Sequence, residues 1–164
     1  MEMKRTKTPE RALSDLMTAC AKSEKATSDA RRLLARWGVE TQAAEEIVRK
    51  LVEAKFIDDR RYAEAYVREK TRLSRWGVRK IREGLRAKRI PETIVDEALG
   101  EADARTMGRK LDELLRRKSK TVKAANDFER KGKLLRYGMG LGFDYEEIAG
   151  ALDRLAEDAR TDDE

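Results

Sequence analysis

Apolar residues recur along the chain at the spacing of one helix face. Leu13, Leu16, Met17 and Cys20 fall at offsets of 0, 3, 4 and 7, which places their side chains on one side of an α-helix. Ala30, Leu33, Leu34 and Trp37 continue the pattern, as do Ala44, Ile47, Val48, Leu51 and Val52, and then Tyr62, Ala63, Tyr66 and Val67. Thr8 before Pro9 has the chemistry of an N-cap followed by a first-turn proline. Asp58 predicts a second N-cap, and Gly38 stands where a helix would end. No segment alternates strictly for long, so no sheet is expected and the fold class is all-α.

Three stop signals, Gly38, Arg89-Ile90-Pro91 and Gly142, each separate two helical stretches. Aligning the apolar residue at each stop exposes an internal repeat. Val39 is followed by Ala44, Val48 and Leu51, Ile90 by Val95, Leu99 and Ala102, and Phe143 by Ile148, Leu152 and Leu155, at offsets of 5, 9 and 12 in all three cases. The anchors are 51 and 53 residues apart, which leaves room for three short helices per repeat. The expected organisation is three tandem three-helix repeats, 9–55, 56–100 and 101–157, with disordered tails at 1–8 and 158–164. Each repeat has few apolar residues, so packing between neighbours is expected to supply stability.

Composition narrows the chemistry. Of the 164 residues, 43% are charged, against about 25% in an ordinary globular protein. There is no histidine and one cysteine, which excludes histidine general bases, an intramolecular disulfide and Cys-cluster or His-containing zinc sites. Cys20 lies on an apolar stripe and is expected to be a buried or half-buried structural thiol. No apolar run reaches bilayer-spanning length, and the start of the chain lacks the apolar core of a secretory signal. Neither adjacent carboxylate pairs (Glu45-Glu46, Asp58-Asp59) nor the glycines at 138–142 form a catalytic or phosphate-cradling motif. A cytoplasmic, monomeric, non-enzymatic protein with no cofactor and no metal is expected.

The net charge of +6 is strongly segregated: residues 68–90 carry +8 and 116–136 carry +7, whereas 91–115 carry −4 and 144–164 carry −7. Such blocks create a field that steers charged partners. In 76–90, Val78, Ile81 and Leu85 form a predicted core face, and Arg79, Arg82, Arg86 and Arg89 recur at offsets of 0, 3, 7 and 10 as a second stripe. Lys80 and Lys88 widen it and Arg75 precedes it. Only Glu83 stands nearby as a local ion-pair partner, so the stripe is expected to carry unpaired charge, and guanidinium groups suit bidentate contacts to phosphate or carboxylate. Arg116, Arg117 and Lys118 form a second candidate contact, although cations at a helix C-terminus also have a purely structural explanation. A solvated face is the competing reading of both. The third helices of repeats two and three are acidic, which argues against base reading by a helix-turn-helix.

The segment FIDDRRYAEAYVREKTRLSRWGVRKIREGLRAKRI, residues 56–90, resembles the RecX family, regulators of the RecA recombinase. Residues 28–39 and 133–148 are similar to short motifs of the family's first and third repeats, so the resemblance spans about 12–156. It implies three tandem three-helix repeats in an elongated, curved arrangement. It also implies a partner, the RecA–single-stranded-DNA filament, whose ATPase, strand exchange and coprotease activities such proteins inhibit, and for some members direct contact with the backbone of single-stranded DNA. On this basis Arg75, Arg79, Arg82, Arg86 and Lys88 form the expected contact set, flanked by Lys80 and Arg89. Phe56, Ile57, Tyr62, Tyr66 and Trp76 are expected to be packing residues. The alternative is a free-standing single-strand binder without sequence preference. Three departures stand out: the family usually has Gly where this chain has Arg89, Leu where it has Gly138, and a basic pair where it has Gly140-Leu141. Gly138, Gly140 and Gly142 are expected to weaken a helix end.

Overall fold

A computed structural model of the chain describes residues 6–100 and 104–163. Among the described residues it contains nine α-helices and no strand: α1 (Pro9–Lys22), α2 (Thr27–Arg36), α3 (Thr41–Glu53), α4 (Asp59–Arg72), α5 (Val78–Ala87), α6 (Glu92–Gly100), α7 (Ala104–Thr121), α8 (Asp127–Gly140) and α9 (Tyr145–Thr161). The predicted caps form. Thr8 Oγ1 accepts the Arg11 amide at 3.2 Å, and Asp58 Oδ1 accepts the Arg61 amide at 3.1 Å. Asn126, which the pattern did not single out, caps α8 by accepting the Glu129 amide at 2.8 Å. Gly38 and Gly142 end their helices in the left-handed region, with φ of 70° and 93°, where a side chain is strained.

The helices form two compact units, residues 1–66 with 85–98 and residues 67–84 with 99–164, so the division falls within α4, α5 and α6. In the first unit, Leu16, Ala30, Leu34, Ile47, Val48, Leu51 and Ile57 form the core, and Leu13, Cys20, Trp37 and Phe56 pack at its edge. Ala12 rather than Met17 completes the buried face of α1, and Met17 stays partly exposed. Cys20 is half-buried, and that burial pushes its thiol pKa up.

A buried carboxylate organises the polar side of this unit. Asp29 is buried. It accepts the Ala26 amide at 3.0 Å, the Lys88 ammonium at 2.6 Å and the Arg32 guanidinium at 2.8 Å. Ser28 donates to the Lys88 carbonyl at 2.6 Å, and Asp59 Oδ1 accepts both the amide and the hydroxyl of Thr27. The segments around residues 59 and 88 are thereby tied to the start of α2.

In the second unit, Leu111, Leu115, Leu134, Phe143, Ile148, Ala151 and Leu152 form the core between α7, α8 and α9. The start of α5 meets the turn after α8 backbone to backbone. Gly77 N–H donates to the Leu141 carbonyl at 2.7 Å and Arg79 N–H to the Gly142 carbonyl at 3.2 Å. A Cβ at Gly77 would sit 2.4 Å from the Gly142 oxygen, and one at Gly142 would sit 2.3 Å from Lys80 Cβ. Gly138 is as constrained, since its Cβ would meet Ile148 at 2.8 Å. Of the three glycines expected to weaken this helix end, two are therefore demanded by close packing; only Gly140 faces open space.

Three further expectations are corrected. Val78 does not share the burial of Ile81 and Leu85: it is 38% exposed, against 0% for both of them. The acidic tail is not disordered from residue 158, because α9 runs to Thr161 and Asp158 pairs with Arg116 at 3.3 Å. Of the predicted N-terminal tail, residues 1–5 lie outside the described residues. Lys7 is held, however: its ammonium pairs with Asp15 at 2.6 Å and lies 3.7 Å from the Trp37 ring centroid, and its amide donates to the Trp37 carbonyl.

Gly142→Ala is expected to destabilise the protein by about 2–4 kcal/mol, combining a left-handed φ with a backbone collision. Gly140→Ala should instead leave stability unchanged or raise it by up to about 1 kcal/mol. Urea unfolding of both variants checks the contrast.

Burial raises the Asp29 pKa, but the Lys88 hydrogen bond, the Ala26 amide and the charges of Lys88 and Arg32 outweigh it and hold the carboxyl below its ordinary value. A carboxylate depressed on folding stabilises above its unfolded pKa, and that stability is lost as pH falls through the folded one. Asp29→Asn is thus expected to cost about 1–3 kcal/mol at neutral pH. It should also flatten the fall in stability below about pH 4. Thermal melts across the acid range give both quantities.

Candidate functional site

The predicted contact residues divide between the two compact units. In the second unit, Arg75 lies in the turn before α5 with φ of 59°, exposed and without an ion-pair partner among the described residues. Arg79 donates to the Met139 carbonyl at 2.5 Å and lies 3.6 Å from Glu83. Lys80 donates to the Gly140 carbonyl at 3.2 Å, and its ammonium lies 4.5 Å from the Trp76 ring centroid. Arg82 is half-buried. Arg79 and Lys80 thus neutralise the C-terminal carbonyls of α8, where a helix carries partial negative charge and unsatisfied acceptors.

In the first unit, Arg86 forms a two-point contact with Glu92, at 2.5 and 3.4 Å. Lys88 is committed to Asp29. Arg89 is exposed, has φ of 55° and has no ion-pair partner among the described residues. The expectation that Glu83 alone could pair with the stripe is therefore corrected. Glu92 reaches back across the turn after α5, and Asp29 reaches Lys88 from 59 residues away, beyond any local spacing rule. Lys88 is a structural cation rather than a free contact.

The second basic run is also engaged in part. Arg116 pairs with Asp158 at 3.3 Å, Arg117 with Glu113 at 2.6 Å, and Lys118 lies 5.1 Å from the Tyr137 ring centroid. Of the aromatic packing residues, Phe56 joins the first core and Tyr62 stacks on Tyr66 at 5.9 Å. Trp76, in the second unit, is flanked by Lys70 and Lys80.

Leu73 was not anticipated. It is 78% exposed in the turn between α4 and α5, beside the exposed Arg72 and Arg75. Its spacing from Tyr66 matches an apolar helix stripe, so periodicity alone places it in a core. The second unit also holds a cleft of about 410 Å³ lined by Val78, Leu99, Met107, Leu111 and Phe143. Glu146, Glu147 and Arg154 also line it, and Arg154 is itself bound to Asp112 at 2.8 Å. Among the described residues there is no cluster able to hold a metal ion, and no helix is long and apolar enough to cross a membrane.

Residues 58–99, which contain the whole of the basic segment 68–90, match the family model described as RecX, second three-helix domain. The chain is 33% identical over 120 residues to a regulatory protein RecX of Clostridium tetani, covering 72% of this chain but only 55% of that protein. It is 31% identical over 132 residues to a regulatory protein RecX of Prosthecochloris aestuarii, covering 80% and 85% of the two chains. Among solved structures, RecX from Lactobacillus salivarius superposes with a TM-score of 0.81 at 20% identity, over 90% of this chain and 96% of that one. A second regulatory protein RecX gives a TM-score of 0.80 at 23% identity, over 88% and 71%. With identity of this level sustained over most of the length of a relative, and the same fold in two solved structures, the chain belongs to the RecX family of regulatory proteins.

Proposed function

We propose that this protein is a non-enzymatic modulator of the RecA recombinase that binds the RecA–single-stranded-DNA filament and restrains its ATPase, strand exchange and coprotease activities. The observation that carries this reading is a coincidence. The segment matched by the family model, 58–99, contains α4, α5, all of α6 but Gly100, and the whole of the +8 segment 68–90. A ligand shifts a conformational equilibrium only by its differential affinity for the two states. A protein that favours one geometry of adjacent RecA protomers would slow turnover without performing chemistry.

The hydrogen bonds of the basic segment refine which cations act. Arg79, Lys80, Arg86 and Lys88 already have partners within the chain, and a filament contact would have to share or exchange them. Arg75 and Arg89, exposed in left-handed turns, can reach an acidic or phosphate partner without breaking an internal ion pair. Leu73 beside Arg75 adds an apolar anchor.

The test separates stability from binding. Arg75→Gly and Arg89→Gly place glycine where φ is positive, so each should leave stability unchanged or raise it by about 0.5–1 kcal/mol. Each should weaken inhibition of the single-strand-dependent RecA ATPase by about tenfold or more if it removes one charge-assisted contact. ATPase that persists with the parent protein in excess refutes the proposed function. Inhibition that survives in both variants refutes the assignment of these two cations alone.

A further inference from the structure

Two ion pairs join α7 to α9 at one offset. Arg116 pairs with Asp158 at 3.3 Å and Arg154 with Asp112 at 2.8 Å, each across 42 residues. The two helices therefore run side by side in the same direction, with one turn between the pairs. One turn nearer the helix starts, the same offset matches Gly108 with Gly150. There the charged ladder gives way to the cleft of about 410 Å³, and both glycines line it.

No close packing within the chain requires these two glycines. A Cβ at Gly108 would meet no atom within 4 Å, and one at Gly150 would touch only the Arg154 guanidinium at an ordinary 3.5 Å. Neither has a positive φ. Gly138 and Gly142, by contrast, are imposed by close packing. In a helix interior glycine is less favourable than alanine. What the pair provides is room for a group from outside to approach both backbones.

The cleft is apolar with one charge left to act. Met107, Leu111 and Phe143 are buried beneath it, and Val78, 38% exposed, adds apolar surface. Of its charged residues, Arg154 is bound to Asp112, and Glu147 accepts the Asp144 amide at 3.1 Å. Glu146 is exposed and has no ion-pair partner among the described residues. Its counterpart at the 42-residue offset is Ala104, so the next rung of the ladder has an acid and no base. Residues 144–164 carry −7, a field that attracts cations and repels nucleic acid.

We propose that this cleft is a docking site for a basic peptide segment of a protein partner, in which one large apolar side chain fills the space over Gly108 and Gly150 while an adjacent Arg or Lys pairs with Glu146. The apolar side chain carries most of the affinity, because burial of apolar area outweighs a single exposed ion pair. The cation sets which segments fit: it completes the charged ladder from outside. The site is separate from the α5 cations and does not rest on the function proposed above.

The experiment is a titration of the isotope-labelled full chain, without RecA, followed by amide chemical shifts. The probe is a hexapeptide with one phenylalanine beside one arginine in a glycine–serine frame. Saturable shifts should centre on Gly108 and Gly150. A probe with alanine in place of its phenylalanine should bind about tenfold more weakly or worse. Glu146→Gln should weaken binding of the parent probe by about 2- to 5-fold and shrink its advantage over a probe with glutamate in place of arginine. Gly108→Leu, which puts a side chain into the cleft, should abolish binding while the melting temperature holds or rises. Gly132→Leu, also in open space but in α8 and outside the cleft, should bind as the parent does. Absence of saturable shifts, equal binding of the alanine probe, or retained binding by Gly108→Leu overturns the proposal. So does phenethylamine binding as tightly as the peptide, which would make the cleft a site for a small organic cation.

Discussion

The second compact unit depends on the meeting of the start of α5 with the turn after α8. The residue before α5 is Gly77, which has no side chain to cap the helix, and the carbonyls of Leu141 and Gly142 accept amides there instead. This requires backbone to touch backbone, so neither Gly77 nor Gly142 tolerates a Cβ. The same approach delivers Arg79 and Lys80 to the carbonyls of Met139 and Gly140 at the end of α8, the first of which also accepts the Gly142 amide at 3.0 Å. One contact thus satisfies the N-terminal donors of one helix and the C-terminal acceptors of another.

That arrangement changes what the basic segment means. A run of net +8 suggests a surface waiting for a polyanion. Much of its charge is spoken for by the fold itself: Lys88 by Asp29, Arg86 by Glu92, and Arg79 and Lys80 by the end of α8. Arg75 and Arg89, exposed and without an ion-pair partner among the described residues, are held in backbone conformations that glycine would adopt more easily.

The chain keeps its charged groups useful by separating their uses. Asp29 is buried and surrounded by donors, so it orders the first unit and responds to acid. Lys120, Lys123 and Lys131 are exposed and lack such partners among the described residues. The presence or absence of an opposing group distinguishes scaffold from surface.

The sequence alone determined the helices and much of their packing. Periodic apolar residues, the caps at Thr8 and Asp58 and the stop at Gly38 act within one or two turns, so their consequences are written locally. Ile81 and Leu85 were placed in a core for that reason, and they are there. What the tertiary structure decided are the relations between residues far apart in the chain. Asp29 meets Lys88 across 59 residues and Lys80 meets Gly140 across 60. Helical spacing carries no information about such pairs, so the stripe's partners, the crowding at Gly138 and Gly142, and the exposure of Val78, Leu73 and Phe128 emerged only once the helices were packed.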